Sequence, residues 1–439
     1  MRKVVFALAF GLGPLAACGG ATGGDPAARA EDSTASAVPT AVSPSTAPTT
    51  PTTPTPPIER DPLLFLSGRA DVVVLDTEDG EQTMRAVGGM ASPDRTAVAQ
   101  VVGRRIVVID PATGDPQWEH SIPAERRVRV VAPGARQVAL VDGRILTPSD
   151  ARSTTQLTIV DEHGSRELTL DGNFDPEAFT LDGTDLVAVE YLPATNPDHY
   201  EVRLVDLTTG SVRPVPDQPE HFPNNKPRDR MRGYARTQVS SADGRFLYTY
   251  YSSDVPVADD HDEMYAFVHV LDLHHEEAYC IDLHAPFGTG ADGWSEPALT
   301  LTTDGSRLLV TDRITGALAS INPATLEVTA TATLPKVTPF ETSAVATASD
   351  DVLYLGLDHE LIRIDATTLE VIDRVDVEDP ITGIKMDRSG AILYAVTFAD
   401  VSVFDPAGAK IASWPLPIPG AGADPSVARP GSGAYQCAC

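Results

Sequence analysis

Between 259 and 284 the chain reads DDHDEMYAFVHVLDLHHEEAYCIDLH, its densest collection of metal-binding side-chain types. Five of the ten histidines fall there, among Asp259, Asp260, Asp262, Glu263, Glu276, Glu277 and Cys280. Neutral imidazole with carboxylate or thiolate is the ligand set of zinc and other transition metals. If this segment is a metal site, His274 and His275 are the leading ligands, aided by His269, Asp259 or His261. Zinc is the one cofactor these residues suggest; otherwise the cofactor is unknown. The spacing is not that of a known metal motif, since neither His-x-x-x-His nor Cys-x-x-Cys occurs. A solvated, histidine-rich turn explains the same residues. On that reading His274 and His275 sit exposed at the end of a strand, and His269 lies within the strand, facing either side.

Other chemical signals are weaker. In DGNFDPE, Asp171, Asn173 and Asp175 alternate as calcium ligands do at the start of an EF-hand loop. Pro176 stands where that loop needs a glycine, so an ordinary turn between strands is the plainer reading. No G-x-S-x-G elbow, H-E-x-x-H, phosphate-binding loop or C-x-x-C-H is present. The aromatic run Phe246, Tyr248, Tyr250, Tyr251, Tyr265 and Phe267 falls mostly at period-two positions, as strand packing requires. The segment 214–236 places Lys226, Arg228, Arg230, Arg232 and Arg236 close before the acidic stretch 252–263. Such a pair of loops either docks a partner or pairs with itself.

The elements that carry these residues repeat. Short β-branched runs end in turns at Asp76, Asp110, Asp161, Asp206, Asp272, Asn322, Asp365 and Asp405, as in VRLVDLTTG. These turns lie 34 to 66 residues apart. A second turn type precedes most of those runs, at Asp94, Gly134, Asp182, Asp243, Asp304, Asp350 and Asp387. Asp accepts hydrogen bonds from turn amides, and Gly supplies positive φ. The unit is therefore four antiparallel strands in roughly 40–50 residues, the size of a propeller blade.

The fold expected is all-β, a single β-propeller of four-stranded blades. Eight blades are favoured over seven. The first unit, LLFLSGRADVVVLDTEDGEQTMRAV, lacks an innermost strand. The tail near Asp424–Arg429 is expected to supply it; seven blades result if the Asp76 hairpin lies outside the ring. The turn patterns over residues 63–416 resemble the YVTN and TolB/WD-like propeller repeats. That resemblance implies the fold and no particular activity, because propellers host many unrelated functions. Ser-Ala-Asp-Gly at 241–244 is similar to the sialidase Asp-box but lacks its aromatic residue. Three Trp residues are too few for the per-blade motifs of quinoprotein dehydrogenases.

The N-terminus reads as an export leader. Arg2 and Lys3 precede an apolar stretch from Val4 to Leu15, too short to span a bilayer. Leu15-Ala16-Ala17-Cys18 resembles the lipobox of bacterial lipoproteins. The resemblance implies cleavage after residue 17, acylation of Cys18 and attachment to the extracytoplasmic face of the cell envelope. Residues 18–60 are then a Pro/Thr/Ser-rich spacer, and 61–439 the propeller with its closing tail.

Sixty-two acidic against 33 basic residues give a net charge of −29. That balance excludes nucleic acid as a partner, since basic surface supplies most of such affinity. It also excludes docking on anionic lipid through a basic patch, which leaves Cys18 as the route to the membrane. With Cys18 acylated, Cys280, Cys437 and Cys439 remain in an oxidising compartment. Cys280 is expected to bridge to Cys437 or Cys439; the rivals are a Cys437–Cys439 bond or a Cys-x-Cys metal site. The function expected is a binding or scaffold module without enzymatic activity, its protein or small-molecule ligand unknown. The alternatives are a zinc-binding propeller of the metallochaperone kind and a propeller hydrolase, lyase or quinoprotein without a recognisable motif.

Overall fold

The repeated turns form because each Asp stays within reach of its own backbone. Asp206 Oδ1 accepts the amides of Thr208 and Thr209 at 2.8 and 2.7 Å, and Gly210 closes the turn at φ +73°. Asp365 does the same with Thr367 and Thr368, at 2.9 and 2.7 Å. These amides hold both carboxyls below the usual aspartate range. In the second turn type Asp182 accepts Thr184 N at 3.0 Å and Asp304 accepts Ser306 N at 2.9 Å. Each turn thus specifies itself locally and sets the register of the hairpin it closes.

The result is eight sheets of four antiparallel strands. The computed structural model describes residues 61–67, 71–144, 150–216, 220–222, 224–225, 231, 235–252, 265–289, 297–334, 345–416 and 436–437. The leader, Cys18 and the spacer lie outside the described residues. Blades 2 to 8 run in chain order over 90–121, 126–171, 174–214, 235–283, 297–333, 345–376 and 383–415. Blade 1 combines Leu63–Ser67, Asp71–Asp76 and Gln82–Val87 with an inner strand from the tail. The eight-bladed expectation holds, and the only helical element among the described residues is a single turn at Pro133–Ala135.

The tail closes the ring at a different place from the one expected. The inner strand of blade 1 is Gln436–Cys437, antiparallel to Leu66 and Ser67. Residues 424–429 lie outside the described residues. The seam is tied a second time where Arg388 N donates to Asp61 Oδ2 at 3.0 Å and Arg388 Nε stands 3.3 Å from Asp61 Oδ1.

Eight apolar clusters hold the blades together, one at each junction between neighbours. Leu64, Leu66, Val73 and Leu75 of blade 1 pack on Tyr394, Val396, Val401 and Val403 of blade 8 across the seam. Closure leaves every inner and middle strand paired on both sides or facing the channel, so only outer strands present an edge.

Candidate functional site

The histidine-rich turn belongs to blade 5, at the end of the strand Ala266–Asp272. Asp272 is buried and accepts the amides of His274 and His275 at 3.0 and 3.1 Å. Its carboxylate also takes Arg245 Nη2 at 2.6 Å. Burial alone would raise the Asp272 carboxyl, but Arg245, His275 and the turn amides outweigh it and hold the group at about 2. His275 Nδ1 lies 2.9 Å from both the Arg245 guanidinium and Asp272 Oδ2. It accepts from the first or donates to the second according to its protonation.

A histidine absent from the expected ligand set completes this cluster. His221 stacks on His275 with ring centroids 3.8 Å apart and planes 18° from parallel. Its Nδ1 lies 2.8 Å from Glu277 Oε2, and Glu277 also accepts Glu220 N and the Tyr279 hydroxyl. Further along the same insertion, Asn225 O accepts Cys280 N at 3.3 Å, while Asn225 Nδ2 reaches the carbonyls of Cys280 and Leu326 at 3.2 and 3.3 Å. Glu220, His221, Phe222 and Asn225 therefore lie over the outer strand of blade 5, and Asn225 reaches blade 6. That is why Glu277–Leu283 is almost wholly buried while the outer strand Lys410–Pro415 of blade 8 is not.

Of the proposed ligands among the described residues, His274 and His275 stand together, ring centroids 4.6 Å apart, and His269 stands apart from them. His269 is buried within its strand, edge-on to Tyr251 at 6.2 Å, on the face that packs against blade 4. His274 and His275 stand at the turn, beside a guanidinium whose charge opposes a second cation. Asp259 and His261 lie outside the described residues. Among the described residues no group of three or more His, Cys, Asp or Glu is placed to hold a metal. In DGNFDPE, residues 172–173 link the strands Gly164–Asp171 and Phe174–Phe179, as the plainer reading has it. Asn173 is fully buried and donates to the carbonyls of Asp150 and Ala194, while Asp175 pairs with an arginine of blade 3.

One of the two expected bridges, Cys280–Cys437, is corrected by topology. Cys280 lies on the outermost strand of blade 5, and Cys437 on the innermost strand of blade 1, across the ring. Three strand spacings alone separate outer from inner by about 14 Å, whereas bridged Cα atoms lie within about 7 Å. Cys439 lies outside the described residues. The aromatic run behaves as expected: Tyr248 and Tyr250 fill the junction of blades 5 and 6, Tyr251 and Phe267 that of blades 4 and 5. Lys226, Arg228, Arg230 and Arg232 lie outside the described residues.

A second polar cluster gathers at the other face of the ring, where the inner strands begin. Arg127 and Arg129 lie on the inner strand Arg126–Val131 of blade 3, and Asp175 and Glu177 on the inner strand Phe174–Phe179 of blade 4. Both strands carry an irregularity in register, between Val128 and Val130 and between Pro176 and Ala178. Such bulges re-aim side chains, and here the extra residues are Arg129 and Glu177. Arg129 Nε and Nη2 meet Asp175 at 2.7 and 2.6 Å. Arg152 donates to the Phe174 and Asp150 carbonyls and, at 3.1 Å, to Thr155 Oγ1. Tyr191 stands within electrostatic range; burial, then Asp175, pushes its hydroxyl well up. The sequence signal for this cluster is RRVRV at 126–130, three arginines on one strand of an acidic protein.

No family model and no curated protein matches this chain. Its solved likenesses are distant. Dihydro-heme d1 dehydrogenase NirN, in complex with DHE, is 15% identical with a TM-score of 0.48, over 82% of this chain and 75% of that one. Apo AztD from Citrobacter koseri is 14% identical with a TM-score of 0.49, over 81% and 95%. The Cps50 (Swd1) β-propeller domain of Myceliophteria thermophila is 12% identical with a TM-score of 0.38, over 71% and 93%. The chain itself is an eight-bladed β-propeller.

Proposed function

We propose that this chain is a lipid-anchored, extracytoplasmic propeller that binds a partner or ligand at the cell envelope and does no chemistry on it. The leader, the Leu15-Ala16-Ala17-Cys18 sequence and the Pro/Thr-rich spacer support the anchor. Among the described residues no helix is long and apolar enough to cross a membrane, so the acyl group is the attachment this reading uses.

The observation that carries the binding role is a set of buried polar atoms near the start of the inner strands of blades 3 and 4 that have no hydrogen-bond partner among the described residues, Arg127 Nε and Asn173 Oδ1 among them. Unsatisfied groups of that kind cost stability and are kept where something else completes them.

The test has two arms. Cys18→Ser should move the protein from the membrane fraction to the soluble one with its fold unchanged; retention after a high-salt wash would defeat the anchor. Full-length protein purified from solubilised envelope should carry a partner or small molecule at near-stoichiometric amount. Bare protein under gentle extraction would defeat the binding role.

A further inference from the structure

The guanidinium of Arg127 makes no hydrogen bond or salt bridge with any described residue, and its Nε is buried. The neighbouring charged residues have partners of their own. Asp175 is taken by both arms of Arg129. Glu177 accepts from Gln238 of blade 5 at 2.7 Å and lies 3.9 Å from Arg129. Arg152 donates to the carbonyl oxygens of Phe174 and Asp150 and to Thr155 Oγ1. Arg129 and Arg152 thus have partners of their own, and the Arg127 guanidinium beside them has none among the described residues.

We infer that Arg127, with Arg129 and Arg152 beside it, receives an oxyanion: a carboxylate or phosphate group of a small ligand entering from the face where the inner strands of blades 3 and 4 begin. The inference rests on the binding reading above and names the chemistry of its ligand. Arginine's planar fork suits both anions through two parallel N–H donors. Arg129 is already spent on Asp175, which leaves Arg127 as the donor that lacks an acceptor. The surroundings agree: burial first, then repulsion from Arg129, lowers the proton affinity of Arg127, with Asp175 opposing. A bound anion would relieve that repulsion. Fully buried Asn173, whose Oδ1 also has no hydrogen-bond partner among the described residues, adds an acceptor that a ligand hydroxyl or a water can satisfy. The overall charge of −29 disfavours long polyanions and leaves a small anion, drawn in locally, as the ligand that fits.

The experiment titrates the full chain with sodium phosphate and, separately, with sodium succinate by calorimetry. Ionic strength is held constant with sodium chloride. Wild type is compared with Arg127→Gln, with Arg127→Lys and with Arg105→Gln, whose arginine is paired to Glu119 on blade 2. The expected result is one saturable site for at least one probe. Arg127→Gln should weaken it on the order of tenfold or more, because charge-assisted hydrogen bonds are lost. Arg127→Lys should fall between, and Arg105→Gln should match wild type. Phosphate binding alone points to a phosphorylated ligand, succinate alone to a carboxylate. Arg127→Gln should fold with an unchanged or higher melting temperature, since it removes a partly buried cation that has no hydrogen-bond partner among the described residues. The inference is overturned if neither probe binds beyond chloride, if Arg127→Gln binds as wild type does, or if Arg127→Gln fails to fold. An envelope partner captured in the absence of anion binding would leave the binding role standing and remove only this site.

Discussion

Arg129 of blade 3 and Asp175 of blade 4 join two neighbouring inner strands through a two-point pair, with distances of 2.7 and 2.6 Å. Both residues lie at or beside a bulge, so the pair depends on two departures from regular register. Asp175 is buried, and removing its partner would strand a charge away from water.

Arg129→Met is therefore expected to destabilise the ring by about 3–5 kcal/mol, the usual cost of breaking a buried pair from one side. Arg129→Met/Asp175→Leu should recover much of the loss, because the Asp175 charge is then no longer stranded. Urea midpoints at pH 7 check this. A double variant as unstable as the sum of the single variants would show that the pair acts through something other than its charges.

The Asp272 carboxyl gives a pH signature. It is held at about 2 in the folded protein, below its unfolded value. A carboxyl held low contributes stability above the unfolded value, about 3.9, and loses it as pH falls towards the folded one. At pH 6 wild type should exceed Asp272→Asn by about 2 kcal/mol, from the size of that shift. The gap should narrow between about pH 4 and pH 2. A gap of constant size across that window would mean that Asp272 stabilises by shape alone.

The blades were legible because each turn contains its own explanation. Asp206 and its acceptor contacts to Thr208 and Thr209 span three residues, and the same pattern recurs down the chain. The candidate sites were not legible, because their partners meet only when the ring closes. Arg129 and Asp175 are 46 residues apart, and His221 and Glu277 are 56 apart. Neither His221 nor the arginines carry a motif. The tail strand Gln436–Cys437 is two residues long, too short for any alternation, and so was expected some residues too early. The Cys280–Cys437 option failed for a related reason. Oxidation arithmetic counts thiols, but only topology shows that Cys280 and Cys437 occupy opposite blades.

Ring closure by the tail predicts the effect of a small deletion. Removing 436–439 strips the inner partner from Leu66 and Ser67. Two or so backbone hydrogen bonds at about 0.5–1.5 kcal/mol each suggest a loss of about 1–3 kcal/mol. Differential scanning calorimetry should show a lower melting temperature for the deletion. Cys437→Ser should melt close to wild type, with and without reductant. An unchanged melting temperature after the deletion would remove the tail from the closure mechanism.

The outer end of the same seam gives a sharper test, because two glycines in similar conformations differ in their surroundings. Gly80 closes the Asp76 turn of blade 1 at φ +78°, and a Cβ there would fall 2.2 Å from Trp414 Cγ on the outer strand of blade 8. Trp414 is itself packed on Tyr394, centroids 5.9 Å apart, so it has little room to retreat. Gly305 has nearly the same conformation, φ +70°, with nothing within 4 Å of its would-be Cβ. Gly305→Ala should therefore cost only the left-handed penalty of an L-residue, about 1–2 kcal/mol. Gly80→Ala should add overpacking of about 1–3 kcal/mol to that. Trp414→Leu in the Gly80→Ala background should return part of the difference, less what the lost indole contributed. Equal urea midpoints for Gly80→Ala and Gly305→Ala would show that the blade 1 turn does not bear on Trp414.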